Sequence, residues 1–199
     1  MKIGISVEDF GHEGFLKGLR ERWCPEAQMI KGRTRGRSGI SVRRDTPKVC
    51  QELRANDADI VVLLTDADDK NWREVLARQK ESIPSQFSHC VICGVAARNV
   101  ECWLVLDQSH ATNTIGLAES DLDVEDPKPV VHRALGITGR DRKREEKVEK
   151  IAEIVRTMPL RSALTRGDDS ARSLKALYED VRDCAQQHGC SVPDELQAS

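Results

Sequence analysis

The chain has 199 residues and a formal net charge of −2, with 39% hydrophobic and 32% charged residues. That length suits one domain with a full core, or one domain with a small appendage. The near-neutral balance excludes a uniformly basic nucleic-acid binder, no apolar stretch approaches the ~20 residues of a membrane span, and an aromatic share of 4% leaves few rings for stacking bases.

The opening MKIGISVEDF reaches Glu8 and Asp9 too early for a secretory leader, so cytoplasmic residence is the expectation. Lys2 to Val7 reads as a short strand. Gly11 to Trp23 then reads as a helix with Phe15, Leu16, Leu19 and Trp23 on one face. Residues 28–44 are rich in Gly and Arg and lack periodicity, which predicts a short strand followed by a mobile loop. Thr46-Pro47 predicts a helix start with proline in its first turn.

Asp59 to Leu64, DIVVLL, is a β-branched run that suits a strand buried on both faces of a parallel sheet. Trp72, Val75 and Leu76 mark the next helix, Cys90 to Ala96 another buried strand, and Val100, Trp103 and Leu104 a further helix. Strand and helix alternate, which predicts an α/β fold: a mostly parallel sheet flanked by helices. Beyond the acidic, Pro-bearing stretch Glu119 to Pro129 only helical spacing recurs, at Val148, Ile151, Ala152 and Val155 and again at Leu174, Leu177, Tyr178 and Val181. The expected organisation is an α/β domain over 1–118 with a helical C-terminal extension over 119–199 packed on it.

The seven cysteines are scattered among apolar neighbours and read as small core residues rather than disulfides. Cys90 and Cys93 form a C-x-x-C beside His89. No second Cys/His pair at zinc spacing follows, which weighs against a structural zinc.

Carboxylates gather where strands end. Glu8 and Asp9 follow the first strand, Asp66, Asp68 and Asp69 follow the central one, and Glu101 follows the third. Ligands of open parallel sheets bind beyond the carboxyl ends of the strands. Like charges in one place raise each other's pKa, and a divalent cation removes that conflict. Asp66 and Asp68 point the same way if the backbone between them stays extended. The plain alternative is a solvated turn that caps the helix of Trp72, and Asp69 is assigned that capping role.

These residues resemble a known family. VEDFGHEGFL (7–16) is similar to the VEG-x-x-E-x-x-F-L opening of Toprim-like domains, and LLTDADD (63–69) to their D-x-D strand end. ARNVECWLVLD (97–107) resembles the E-x-W-L segment of a bacterial Toprim-like family. DPKPVVHRALG, KVEKIAEIV and SARSLKALYEDV then follow in that family's order. The resemblance implies a Toprim fold and a nuclease related to OLD-type enzymes. Glu8 would then be the first-strand acid, Asp66 and Asp68 the Mg²⁺-holding pair, with Mn²⁺ as an alternative ion, and Glu101 a further catalytic acid. It also implies an ABC/SMC-type ATPase as partner, in phage defence. Two positions depart from the pattern: Asp9 replaces the usual glycine, and His12 stands where a second acid is expected, with Glu13 one step on. His12 enters as a candidate metal ligand, although Mg²⁺ prefers oxygen.

Lys31, Arg33, Arg35, Arg37, Arg43 and Arg44 fall in a stretch without any acid. Interleaved glycines let such a loop approach a phosphate backbone, so these six are the expected DNA or RNA contact. An acid cluster beside a basic loop suits Mg²⁺-assisted phosphodiester cleavage. Two other classes remain open: a catalytically degraded subunit that binds a partner ATPase or nucleic acid, and a phosphotransfer enzyme on a flavodoxin-like sheet. The last lacks a recognisable acceptor Asp with its supporting Lys and Ser/Thr.

Overall fold

The computed structural model describes residues 1–32, 39–138, 143–190 and 192, the side chains of 39–43 excepted. The N-terminal part alternates strand and helix: β1 (Lys2–Val7), α1 (Phe10–Trp23), β2 (Gln28–Lys31), α2 (Gly39–Ala55), β3 (Ile60–Asp66), α3 (Trp72–Glu81), β4 (Val91–Ala96) and α4 (Val100–Leu104). Short turns α5 (Gln108–His110) and α6 (Glu119–Leu122) flank a π-helical turn at Ala111–Ile115. Four helices complete the described chain: α7 (Lys128–Ala134), α8 (Arg144–Thr157), α9 (Leu160–Thr165) and α10 (Asp169–Gln187).

The four strands form one sheet in the order β2-β1-β3-β4, with every pairing parallel. The fold is therefore α/β, as its alternating pattern predicts. All seven residues of β3 are buried, because the strand is covered on both faces. Its side chains alternate accordingly. Val62 and Leu64 enter the large core beneath α1, α8 and α10, while Val61 and Leu63 pack with Val49 and Leu53 of α2. The large core runs without a break from Ile5, Phe15 and Trp103 to Ile151, Leu174 and Tyr178, so residues on both sides of position 118 share it.

Helix α1 meets α8 at unusual proximity. A Cβ on Gly14 would stand 2.6 Å from the Ile151 Cβ, and one on Gly18 2.6 Å from the Val155 Cβ. The two glycines form a groove that admits the branched side chains of α8. Buried Ser173 of α10 joins the helical part to the sheet's edge. Its hydroxyl accepts from Trp103 Nε1 at 2.9 Å and from the Ala97 N–H at 3.1 Å.

Three expectations are corrected here. Helix α2 begins at Gly39, so Pro47 lies inside it rather than in its first turn, and the irregular stretch is shorter than 28–44. Proline removes one hydrogen bond but a helix accommodates that loss where packing holds both halves. Cys24 and Cys190 are disulfide-bonded, bringing together the end of α1 and the segment after α10 across 166 positions. No spacing motif signals such a pair. The other five cysteines are free, four of them buried. Finally, α3 is capped by Asn71, whose side chain accepts from the Arg73 N–H, and not by Asp69. Asp69 is exposed and pairs with Arg98 at 3.5 Å.

Candidate metal centre at the strand ends

In the order β2-β1-β3-β4 the chain steps outward from β1 in one direction and from β3 in the other. The crevice outside the carboxyl ends of β1 and β3 is thus the topological switch point, where α/β sheets bind ligands. Glu8 follows β1 directly and Asp66 ends β3, and the pairing of Val7 with Leu64 sets the two ends side by side. The Asp66 N–H points to Glu8 Oε2 at 3.4 Å.

Asp9 is the N-cap of α1. Its Oδ1 accepts from the Gly11 and His12 N–H groups at 2.8 and 3.3 Å and contacts His12 Nδ1 at 2.8 Å. The cap fixes the first turn of α1 so that the fully buried His12 ring projects toward β3. His12 Nε2 lies 2.9 Å from Asp66 Oδ1. It lacks the direction a hydrogen bond needs, so it remains a buried nitrogen without a hydrogen-bond partner. Ligand atoms of Glu8, His12 and Asp66 all lie within 4.8 Å of one another. Two metal–ligand bonds of about 2.1 Å reach about 4.2 Å end to end, so a single ion needs only a small contraction to bind all three. The donor set of two carboxylates and one imidazole, with an orphaned buried nitrogen at its centre, fits a divalent cation.

Asp66 Oδ1 also accepts from the Val100 N–H at 3.0 Å, which anchors the start of α4. Buried Glu101 on that helix contacts His132 Nε2 at 2.6 Å through Oε1, while its Oε2 has no hydrogen-bond partner. His132 of α7 stacks against Phe10 with ring centroids 5.2 Å apart. From the same helix, Lys128 Nζ reaches Asp9 Oδ2 at 2.9 Å, Asp66 Oδ2 at 3.8 Å and Glu101 Oε2 at 3.9 Å. The docking of α7 is set by Asp126, whose Oδ1 accepts from Asn99 Nδ2 at 2.8 Å and the Lys128 N–H at 3.1 Å.

The electrostatics follow from this layout. Burial raises the pKa of Glu8; the His12 charge partly opposes that, and neighbouring Asp66 and Asp68 add to it. Burial of Asp9 acts to raise its pKa, but His12 and Lys128 outweigh it and hold the carboxyl far below its usual range. Burial of His12 disfavours its charge, yet Asp66 and Asp9 together raise it to about 10. Lys128 is likewise held well above its ordinary value, since Glu101, Asp9 and Asp66 more than offset its desolvation.

The fold brings Glu8, His12, Asp66 and Glu101 to one place. Asp68 stands outside the three-ligand group. The backbone turns after Ala67, placing Asp68 at φ 52° with an exposed side chain, where it adds its charge to Glu8's surroundings without joining the three ligands. Glu13 turns away as well: it is buried against Lys31 and Arg144, the latter at 3.0 Å. Lys31, the last residue of β2, is thus taken up by Glu13, and exposed Arg44 pairs with neighbouring Asp45 at 3.1 Å. Arg33, Arg35 and Arg37, and the side chain of Arg43, lie outside the described residues.

Sequence reasoning missed Lys128, His132 and the role of Asp9. A signal for the first two exists in DPKPVVHR, where a lysine and a histidine four apart on a helix share a face. Fold and site together define an α/β protein with an acid-and-imidazole centre at its sheet's switch point. Comparisons with protein-family models, curated proteins and solved structures each returned no match.

Proposed function

We propose that the protein is a divalent-metal-dependent nuclease that hydrolyses phosphodiester bonds in DNA or RNA. The observation that carries this reading is the convergence of Glu8, His12 and Asp66 on one point, with the Lys128 ammonium beside them. A divalent ion held there supplies positive charge to the scissile phosphate and makes an attacking water more acidic. Glu8, half-buried at the end of β1, would hold the ion through one carboxylate oxygen and offer the other to the proton of that water. Lys128 offers a fixed positive charge to a phosphate oxygen from the opposite side of Asp66. Asp9 and Glu101 hold that ammonium in position.

The order of sequence segments supports a role as nuclease effector of an ATPase-coupled anti-phage system, with an ABC/SMC-type ATPase as partner in the cytoplasm. The test is cleavage of labelled DNA, RNA and tRNA panels with Mg²⁺ or Mn²⁺, alone and with an ABC/SMC-type ATPase added. Asp66→Asn and Glu8→Gln should each lower cleavage by at least about 10²-fold, in line with removal of a metal ligand or proton acceptor. Unchanged cleavage in both variants would sink the reading.

One observation favours a second reading. The His12 and Lys128 charges already balance Asp9 and Asp66 without any ion. A catalytically silent subunit that regulates the ATPase needs no more than that. Calorimetric titration separates the two, since a silent site shows no saturable Mg²⁺ or Mn²⁺ heat.

A further inference from the structure

We infer that the centre is built for a nitrogen-accepting first-row ion of the Mn²⁺-to-Zn²⁺ class rather than for Mg²⁺, with His12 Nε2 as a ligand and Asp9 as the residue that aims it. The inference deepens the metal-dependent reading above and rests on its three-residue site.

Asp9 Oδ1 stands 2.8 Å from His12 Nδ1 and is itself fixed by the Gly11 N–H at 2.8 Å. Its other oxygen is held by Lys128 at 2.9 Å. A carboxylate so placed can only accept, so Nδ1 keeps its proton when the ring gives one up, and Nε2 is the nitrogen left to coordinate an ion. The same arrangement, a carboxylate on the far nitrogen, is what orients metal-bound imidazoles in general.

Nε2 then faces Asp66 Oδ1 at 2.9 Å, a contact that the ion-free centre holds as an imidazolium–carboxylate pair. That pair lies off the line of a hydrogen bond, which leaves the buried Nε2 without a hydrogen-bond partner. A cation that displaces the Nε2 proton is coordinated by both atoms without that requirement. Glu8 supplies the third ligand atom within 4.8 Å. The ring is fully buried, so water cannot satisfy the nitrogen instead.

The donor set decides the ion. Mg²⁺ demands oxygen ligands and sheds its waters reluctantly, whereas imidazole suits ions from Mn²⁺ upward in the affinity series. Gly11 belongs to the same device. A Cβ there would meet Glu101 Oε1 at 3.0 Å and Asp9 Oδ1 at 3.1 Å, so glycine spares both carboxylates a close contact. The two departures from the opening motif, Asp9 and His12, are therefore one hydrogen-bonded unit.

The experiment uses the full chain, stripped of metal by chelation, with Mn²⁺ as probe. Loss of the free-ion EPR signal measures binding, Mg²⁺ competition measures selectivity, and pulsed EPR on ¹⁵N-histidine-labelled protein reads nitrogen ligation directly. Expected are saturable Mn²⁺ binding, Mg²⁺ affinity at least about 10-fold weaker, and a histidine nitrogen coupling. Asp9→Asn should weaken Mn²⁺ by about 10- to 100-fold. His12→Glu should abolish the coupling and bring the two affinities together, with circular dichroism confirming that it folds. Equal affinity for both ions, bound Mn²⁺ without nitrogen coupling, or no saturable binding overturns the inference, and the first two need no variant. Nitrogen-ligated Mn²⁺ in a protein that cleaves nothing upholds it while removing the nuclease reading. Cleavage supported by an oxygen-only ion does the reverse.

Discussion

Lys128 places its ammonium 2.9 Å from Asp9 Oδ2, joining the start of α7 to the N-cap of α1 across 119 positions. The same nitrogen faces Asp66 and Glu101, so one lysine holds three acids from three elements.

Replacing it exposes what it neutralises. Lys128→Met leaves Asp9, Asp66 and Glu101 to repel one another. Breaking a buried pair costs about 3–5 kcal/mol, and with the lysine side chain 33% exposed a loss of about 1–3 kcal/mol is expected. Added Mn²⁺ should recover more stability in the variant than in the parent, read as the shift in Tm. Cleavage should fall about 10²- to 10³-fold, as for loss of a fixed charge at a transition state. A variant as stable and as active as the parent would deny Lys128 its place in the site.

The metal-free protein should lose stability as pH rises above neutrality. His12 in the folded state titrates at about 10 against an ordinary value of 6.5. Its contribution is fully present below 6.5 and disappears as pH climbs toward 10. Burial pushes the Cys50 and Cys93 thiols to about 11 and about 12, from an ordinary 9.0, so their effect begins only above 9. Asp9 and His110 act on the acid side, since Asp9 is held below 3.8 and burial pulls His110 below 6.5. Glu8, whose pKa burial raises above 4.5, acts in the same direction as His12, so urea unfolding in chelator between about pH 6.5 and about pH 9 is compared with the His12→Gln variant. Most of the slope should be lost in that variant, and an unchanged slope would refute the assignment.

Gly18→Ala raises helix propensity by about 1 kcal/mol, yet it should destabilise. The new Cβ would stand 2.6 Å from Val155 Cβ and 2.8 Å from the Ala152 carbonyl oxygen, which belongs to backbone that cannot yield. Overpacking of this kind costs about 1–3 kcal/mol. Gly167→Ala, where a Cβ meets nothing within 4 Å, is the control. Thermal unfolding of both proteins checks the contrast.

Ser173→Ala removes one acceptor from two donors, the buried Trp103 Nε1 and the partly buried Ala97 N–H. Each orphaned donor costs about 1–3 kcal/mol, so a loss of at least about 2 kcal/mol is expected from denaturant unfolding. The damage should reach the site through α4, which carries both Trp103 and Glu101.

The pairing of Cys24 with Cys190 leaves five free thiols in the chain. Alkylation of the unfolded, unreduced protein should therefore label five cysteines, and seven after reduction. Seven labels without reductant would remove the bridge.

Much of this was legible beforehand because it rests on local periodicity. DIVVLL announces a strand buried on both faces, and β3 alternates Val61 and Leu63 toward one layer with Val62 and Leu64 toward the other. Glu8 and Asp66 at neighbouring strand ends follow from that alternation once the sheet is parallel. Asp68 did not follow, because its side chain depends on whether the backbone stays extended after Ala67, and it turns.

By itself, then, the chain determined the α/β class and two acids of the centre, through spacing of apolar residues and the direction of strands. Only the tertiary structure decided that Asp9 aims His12, that Lys128 and His132 close the site from α7, and that Cys24 meets Cys190. The reason is physical. Periodicity reports which face of an element is buried, whereas a polar centre is made by contacts between elements whose docking depends on the whole core.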